Sequence, residues 1–332
     1  MNPLFILVLI VLVGTHILQT WAEVLNLASL RSSLPREFTD VYDVQTYRSS
    51  QEYTRARTKL GLLSSSLGLA ALLAFVLAGG LQWLDAAVRS LDLPPVPTGV
   101  IFLGLLAMAA DIMALPFQIY NTFVLEEQFG FNRTTLSTFV KDKLKQFVLA
   151  LLIGGLCLAA AIAFLNAFPH WGWVLAWVGL VLIMLGLQYI APFWILPLFN
   201  TFTPLEDGEL KQKILEYAKQ NGVAIQDISV MDGSRRSAKS NAFFTGFGRK
   251  KRIALFDTLI KKHPPQELVT VLAHEIGHSK LNHVSKRLIL SAVQMGLLLG
   301  LLSVLLRYDP LFQAFGLEQA SVHAGLFIFL LL

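Results

Sequence analysis

Residues 146–205 read QFVLALLIGGLCLAAAIAFLNAFPHWGWVLAWVGLVLIMLGLQYIAPFWILPLFNTFTPL. No Asp, Glu, Lys or Arg occurs in this stretch, and Pro169-His170 divides it into two apolar runs. About 20 apolar residues are enough for a helix to cross the hydrocarbon core of a bilayer. The stretch therefore predicts two membrane-spanning helices joined by a short turn, and it places the chain among polytopic membrane proteins.

The rest of the 332-residue chain has the same character, since 55% of it is hydrophobic, 15% is charged and its mean hydropathy is +0.59. Soluble globular proteins carry about 25% charged residues. We predict further spans where charge is absent or rare, at 1–22, 60–84, 98–125 and 288–306. The apolar run after Glu318 is too short to cross a bilayer. We expect it to be a truncated seventh helix; a short re-entrant or interfacial end is the alternative.

The distribution of Lys and Arg predicts how the spans are oriented. With the N-terminus outside, the loops at 23–60 and 126–145 carry ten of these residues, and Arg89 and Arg307 lie on the other side. Basic loops favour the cytoplasmic side, so the long polar segment 200–287 is expected to be cytoplasmic as well. This topology explains the net charge of +5, and no nucleic-acid partner is expected.

A motif within this polar segment, at 274–278, reads His-Glu-Ile-Gly-His. On a helix, His274 and His278 lie about 40° apart, on one face. Two imidazoles so placed can bind one Zn²⁺, and the Glu between them can accept a proton from an activated water. We therefore predict one zinc ion per chain, with His274 and His278 as metal ligands and Glu275 as the catalytic base of a metallopeptidase.

The residues around the motif support this interpretation. The lead-in is apolar at Leu268, Val271 and Leu272, so one face of the helix is expected to be buried. Gly277 is costly in a helix interior, and we attribute it to the need for a slim helix between the two imidazoles. The alternative is an ordinary amphipathic helix with an exposed His and Glu, which accounts less well for this context.

The remainder of the polar segment predicts an α/β domain. Its pattern predicts a helix after Pro204, a strand at 228–231, and a hairpin formed by 241–247 and 252–256. A peptide substrate can add to the edge of such a strand through main-chain hydrogen bonds. Asn241 begins the strand and could bind the substrate backbone; the alternative is a turn Asn that ends a Ser- and Lys-rich loop.

Several linked segments make the chain similar to the type I CAAX prenyl endopeptidases, which are integral-membrane zinc metalloproteases. The matching segments are 127–132, 197–205, 237–244, 251–259, 272–278 and 281–283. The resemblance implies a mainly α membrane protein, with a barrel of seven transmembrane helices around a water-filled chamber and a cytoplasmic α/β zincin-like peptidase insert. It also implies that His274 and His278 are ligands, that Glu275 is the general base, and that Asn241 holds the substrate backbone.

This interpretation divides the chain into three parts. They are 1–199 for membrane helices 1–5 with their loops, 200–287 for the cytoplasmic zinc peptidase domain, and 288–332 for membrane helix 6 and the truncated helix 7.

The resemblance leaves the third zinc ligand unknown. In the family this ligand is a Glu in an E-x-x-x-D-type segment, which we expect beyond Leu332. Glu318 comes too early, matches no such segment, and lies on the opposite side of the membrane by topology. We therefore expect this chain by itself to be inactive or poorly metallated. His283 matches a family His, but on an ideal helix it lies about 180° from His274, so we expect it to support a ligand or to pack.

Three functions are compatible with the sequence. The first is a membrane zinc endopeptidase of the kind that removes the C-terminal tripeptide of prenylated CAAX proteins. The second is a membrane-protein quality-control protease, and the third is a non-catalytic membrane scaffold or substrate-binding protein with an incomplete zinc site. The expected partners are a peptide or protein substrate, with or without a prenyl group, and the lipid bilayer. Compact loops favour a bacterial inner membrane; in a eukaryote the resemblance would place the protein in the endoplasmic reticulum membrane.

Overall fold

The computed structural model describes residues 2–31, 33–247 and 250–332, and it is mainly helical. Within these residues, six helices are long and apolar enough to cross a membrane. They are Pro3–Ser29, Val44–Leu77, Pro95–Gln128, Leu136–Ala167, Gly172–Phe199 and His283–Leu305. The chain is therefore a multi-pass membrane protein, as the sequence predicts, and the stretch 146–205 contributes to two of its spans.

Three of the spans contain a π-helical turn, a local widening that adds one residue to a helical turn. The third span consists of α4 (Pro95–Tyr120), a π turn (Asn121–Leu125) and α5 (Glu126–Gln128). The fourth consists of α6 (Leu136–Leu149), a π turn (Ala150–Gly154) and α7 (Gly155–Ala167). The fifth consists of α8 (Gly172–Ile190), a π turn (Ala191–Ile195) and α9 (Leu196–Phe199). The first two spans are the single helices α1 (Pro3–Ser29) and α2 (Val44–Leu77).

The second span ends earlier than the sequence pattern predicts. Helix α2 ends at Leu77, and α3 (Gly80–Arg89) begins after Gly79, whose φ of 77° is left-handed. Glycine adopts this conformation without the steric cost that a Cβ would bring. The predicted span 60–84 therefore includes the start of a separate short helix, because its apolar residues continue past the turn.

The described residues form two compact units that interleave along the chain. The first unit comprises Met1–Phe129, Leu158–Ala176 and Leu298–Leu332, and the second comprises Gly130–Cys157 and Trp177–Leu297. The predicted division at 199 and 287 follows the order of the chain and stays a prediction.

The first unit has an apolar core that encloses a hydrogen-bonded Asp–His pair. Phe102, Phe312 and Ile328 are almost completely buried in it. Asp85 Oδ1 lies 2.8 Å from His323 Nε2 and joins α3 to α15 (Val322–Leu330), which follows α14 (Asp309–Ala314). Because both side chains are buried, neither can exchange this contact for water without opening the core.

The second unit contains a four-stranded sheet. Its strands are β1 (Phe202–Pro204), β2 (Asp227–Met231), β3 (Ala242–Phe247) and β4 (Lys250–Phe256), in the spatial order β1-β2-β4-β3. Strands β2 and β4 are parallel, and the two outer strands are antiparallel to their neighbours. The predicted hairpin is confirmed as β3 and β4, while residues 248 and 249 of its turn lie outside the described residues.

Four helices accompany the sheet: α10 (Glu209–Gln220), α11 (Asp257–Lys262), α12 (Pro265–Lys280) and α13 (His283–Leu305). Helix α10 confirms the helix predicted after Pro204, and it packs against α12. Its residues Ile214 and Ala218 are buried, whereas Leu215, which follows the same apolar spacing, is 44% exposed. The helix therefore buries a narrower stripe than its apolar residues suggest.

Candidate active site

The position of α12 is fixed by one buried face. Leu268, Leu272 and Ile276 recur every four residues and are almost completely buried. The first two pack into the same core as Ile253 and Leu255 of β4. His274 and His278 consequently lie on the opposite, exposed face.

Two residues of α12, Val271 and Gly277, differ from what the sequence predicts. Val271 was expected on the buried face, but it is 37% exposed, because it lies beside the stripe that faces the sheet. Gly277 was expected to keep the helix slim, but a Cβ built there meets nothing within 4 Å. Packing among the described residues therefore gives no reason for a glycine at this position.

The two histidines of the motif converge on one point. His274 Nε2 and His278 Nε2 are 3.1 Å apart, and the two rings are nearly perpendicular, with centroids 4.7 Å apart. Two nitrogens that bind one zinc ion at about 2.0–2.1 Å in tetrahedral geometry lie about 3.3 Å from each other. The separation and the imidazole donors therefore fit a zinc ion held by both rings.

In the described part of the chain, no carboxylate completes a metal site together with His274 and His278. There, no group of three or more His, Cys, Asp or Glu side chains is arranged to hold a metal ion. Catalytic zinc usually has three protein ligands and one exchangeable position. The identity of the third ligand stays a prediction.

His283 lies close to His278, although on one continuous helix it would point away from His274. Helix α12 ends at Lys280, Asn282 has a left-handed φ of 55°, and α13 begins at His283. The turn brings His283 Nδ1 to 2.7 Å from His278 Nδ1, with the ring centroids 4.9 Å apart. Asn282 is the residue from which this turn could have been predicted, because Asn tolerates the left-handed conformation that commonly ends a helix.

The outer strand β3 lies beside the motif helix. Phe244 of β3 packs with Ile276 of α12 in one small apolar cluster. Asn241, just before the strand, is exposed; its carbonyl oxygen accepts a hydrogen bond from Phe256 N–H at 3.0 Å. Its side-chain Oδ1 accepts from Ala242 N–H at 2.9 Å. Asn241 therefore ends the loop as a turn residue and also presents its side chain at the strand entrance.

The loop before Asn241 is held by Arg236, whose role the sequence did not reveal. Arg236 donates two hydrogen bonds to the Asp142 carboxylate of α6, at 2.7 and 2.9 Å, and a third to Asn200 Oδ1 at 3.0 Å. Such bidentate pairs are strong and geometrically specific. Asp142 lies 94 positions earlier in the chain, so no local pattern could have paired the two residues.

Asp257 holds the start of this loop at Ser234, two residues before Arg236. Its carboxylate accepts hydrogen bonds from the backbone N–H groups of Ser234 and Thr258, each at 2.9 Å, and from the Ser234 hydroxyl. Burial raises the pKa of Asp257, but these hydrogen bonds and the charge of Lys261 outweigh burial and hold the pKa below its usual value.

Two family models match the chain. Residues 23–201 match the CAAX prenyl protease N-terminal region of five membrane helices, and residues 204–332 match peptidase family M48. CAAX prenyl protease 1 of Saccharomyces cerevisiae is 36% identical over 304 residues, which cover 87% of this chain and 67% of that protein. The CAAX prenyl protease 1 homolog of Arabidopsis thaliana is 32% identical, over 95% of this chain and 76% of that protein.

A solved structure is also similar. The crystal structure of S. mikatae Ste24p matches with a TM-score of 0.93 and 31% identity, over all of this chain and 82% of that one. With the helical spans and the His-Glu-x-x-His helix, these likenesses define a membrane metalloprotease. The chain belongs to peptidase family M48, among its proteases of the CAAX prenyl type. Membership implies a metal cofactor, a peptide or protein substrate, and contact with membrane lipids.

Replacing Asp257 with Asn should destabilise the sheet region in a pH-dependent manner. The folded pKa of Asp257 is lowered, so its stabilisation is present above the unfolded pKa of about 3.9 and is lost as pH falls through the folded value. At pH 7, we expect the free energy of unfolding to fall by about 1.5–3 kcal/mol, as for hydrogen bonds to a charged group. Below pH 4, the difference from the parent protein should shrink. Denaturant titrations of the detergent-solubilised protein at both pH values measure this.

The matched control is Glu209→Gln, which removes an exposed carboxylate paired with Lys213 in the same region. This control should leave the stability and its pH dependence almost unchanged. A loss of stability in Asp257→Asn that is equal at pH 7 and below pH 4 would contradict the assigned role of the carboxylate.

Proposed function

We propose that the site at α12 hydrolyses peptide bonds, with one zinc ion held by His274, His278 and the third ligand that the sequence analysis leaves unknown, and with Glu275 as the general base. The observation that carries the proposal is the 3.1 Å convergence of the two Nε2 atoms on the exposed face of a buried helix. Glu275, between them in the sequence, is half-buried.

A zinc ion at this position would act as a Lewis acid that activates water and polarises the scissile carbonyl. The protein supplies the proton transfer. Glu275 accepts the proton that water loses as its oxygen attacks the carbonyl carbon. When the C–N bond breaks, Glu275 returns that proton to the leaving nitrogen, so that an amine and a carboxylate are released.

The outer strand β3 is the proposed platform for the substrate. A peptide that adds to β3 would be held extended through main-chain hydrogen bonds. Phe244 and Ile276 pack together, which holds β3 beside the motif helix. Asn241 lies where the substrate would enter or leave this strand, and its exposed side chain is the proposed contact with the substrate backbone.

The proposed substrate is a protein that ends in a prenylated Cys followed by three residues, from which the chain removes the tripeptide. The names of the yeast and plant relatives support this specificity, as do the shared segments that extend through the membrane part. A quality-control protease for membrane proteins uses the same chemistry and is the second candidate. The non-catalytic scaffold is disfavoured, because the two histidines are positioned to share one ion.

The proposed orientation places α12 and the sheet on the cytoplasmic side. The basic loops at 23–60 and 126–145 support it, and prenylated proteins are made in the cytoplasm. The compartment predicted from the sequence, a bacterial inner membrane or the endoplasmic reticulum membrane of a eukaryote, stays a prediction.

Replacing Glu275 with Gln should abolish hydrolysis and leave zinc binding intact. Gln keeps the shape of the side chain but cannot accept a proton, so we expect a loss in kcat of at least 10²–10⁴-fold. Cleavage of a reporter peptide and zinc content by elemental analysis test the two halves separately. The contrasting variant His274→Ala should lose zinc as well as activity. Turnover retained by Glu275→Gln would exclude Glu275 as the base.

Replacing Asn241 with Ala should weaken substrate binding more than chemistry. If the side chain holds the substrate backbone, KM should rise by about tenfold, as expected for one lost hydrogen bond of about 1.4 kcal/mol, with kcat nearly unchanged. Steady-state kinetics of the purified protein measure both constants. If Asn241 is only a turn residue, the variant should have a lower melting temperature and an unchanged KM, which would remove it from the substrate site.

The substrate class can be tested with two peptides of one sequence, one farnesylated on its Cys and the other bearing a free thiol. We expect kcat/KM to be at least tenfold higher for the farnesylated peptide, because its chain can bury apolar surface that the free peptide lacks. A destabilised membrane protein serves as the competing substrate. Equal cleavage of the two peptides, with faster cleavage of the membrane protein, would favour the quality-control function.

A further inference from the structure

His278 is engaged at both nitrogens of its ring. Its Nε2 lies 3.1 Å from His274 Nε2, and its Nδ1 lies 2.7 Å from His283 Nδ1. Both contacts lie within hydrogen-bonding distance. His283 is the first residue of α13, and the turn at Asn282 directs its ring back toward α12.

A neutral imidazole carries one N–H, so His278 must donate at one nitrogen and accept at the other. Two arrangements satisfy both contacts. In the first, Nδ1 of His278 donates to His283, and its Nε2 accepts the Nε2–H of His274, a proton that His274 must release before it binds a metal ion. In the second, Nε2 donates to His274, and Nδ1 accepts from His283. Only the first leaves Nε2 of His278 able to bind a metal ion.

We propose that His283 is a positioning residue that accepts the Nδ1–H of His278 and thereby keeps Nε2 of His278 as the metal-binding nitrogen. The inference rests on the proposed zinc site. Histidines that bind metals usually donate their other N–H to a carboxylate, a carbonyl or water, which fixes the ring orientation and the tautomer. Here a third imidazole takes that place.

The placement of His283 gives this contact a further consequence. Because His283 begins α13, one metal ligand is hydrogen-bonded to the first residue of a membrane span. The Asn282 turn sets the direction of that span and the position of the accepting nitrogen together. The orientation of the His278 ring therefore depends on the direction of α13 as well as on the position of α12.

The test uses the full chain with ¹⁵N-labelled histidine, compared with His283→Ala and His283→Asn. Asn offers an oxygen acceptor near the position of Nδ1, whereas Ala offers none. Ring ¹⁵N shifts report the tautomer of His278 without metal, and competition with a chelator reports zinc affinity. We expect the Nδ1–H tautomer in the parent protein and its loss in His283→Ala. Zinc affinity should fall about 10–100-fold in that variant and recover in part in His283→Asn.

The matched control is His263→Ala, which removes an exposed histidine paired with Glu267 at 2.8 Å. It should change neither readout, and far-UV circular dichroism checks that each variant is folded. An Nε2–H tautomer in the parent protein would overturn the proposal, as would two His283 variants that behave alike. If the parent binds no zinc but His278 loses its Nδ1–H in His283→Ala, the zinc function fails while the positioning contact stands.

Discussion

The burial of Leu268, Leu272 and Ile276 on one side of α12 is the interaction on which the site depends. These side chains pack against the sheet and the neighbouring α10, and each contributes on the order of 1.5–3 kcal/mol when removed from water. A helix anchored along one face has its rotation fixed. The opposite face then presents His274 and His278 with their rings already converging, so no rotation of the helix is needed before a metal ion binds.

The sequence predicted most of the fold, because the rules that govern it are local. Freedom from charge over long stretches defines the spans, since unpaired backbone groups are not tolerated in lipid and helices satisfy them internally. The four-residue spacing of His274 and His278 likewise fixes a shared helix face at any position in a protein. The hairpin followed from two apolar runs on either side of a basic turn.

Features that depend on distant or exceptional contacts were not predictable. Asp85 and His323 are 238 positions apart, and Arg236 and Asp142 are 94 apart, so no periodicity relates them. The angle of about 180° between His283 and His274 assumed one continuous helix, whereas the left-handed residue Asn282 interrupts the helix between Lys280 and His283. The exposure of Leu215 and Val271 had a different origin, since an apolar residue beside a narrow contact stripe need not be buried.

The bond between Arg236 and Asp142 also has a mechanical meaning. Asp142 belongs to α6, which is part of a membrane span, whereas Arg236 begins the loop that leads to Asn241 and β3. Both side chains are largely buried, so the loop cannot slide along α6 without breaking a bidentate ion pair. Membrane spans change tilt to match bilayer thickness. A change in the tilt of this span would therefore be transmitted through the ion pair to the loop before β3.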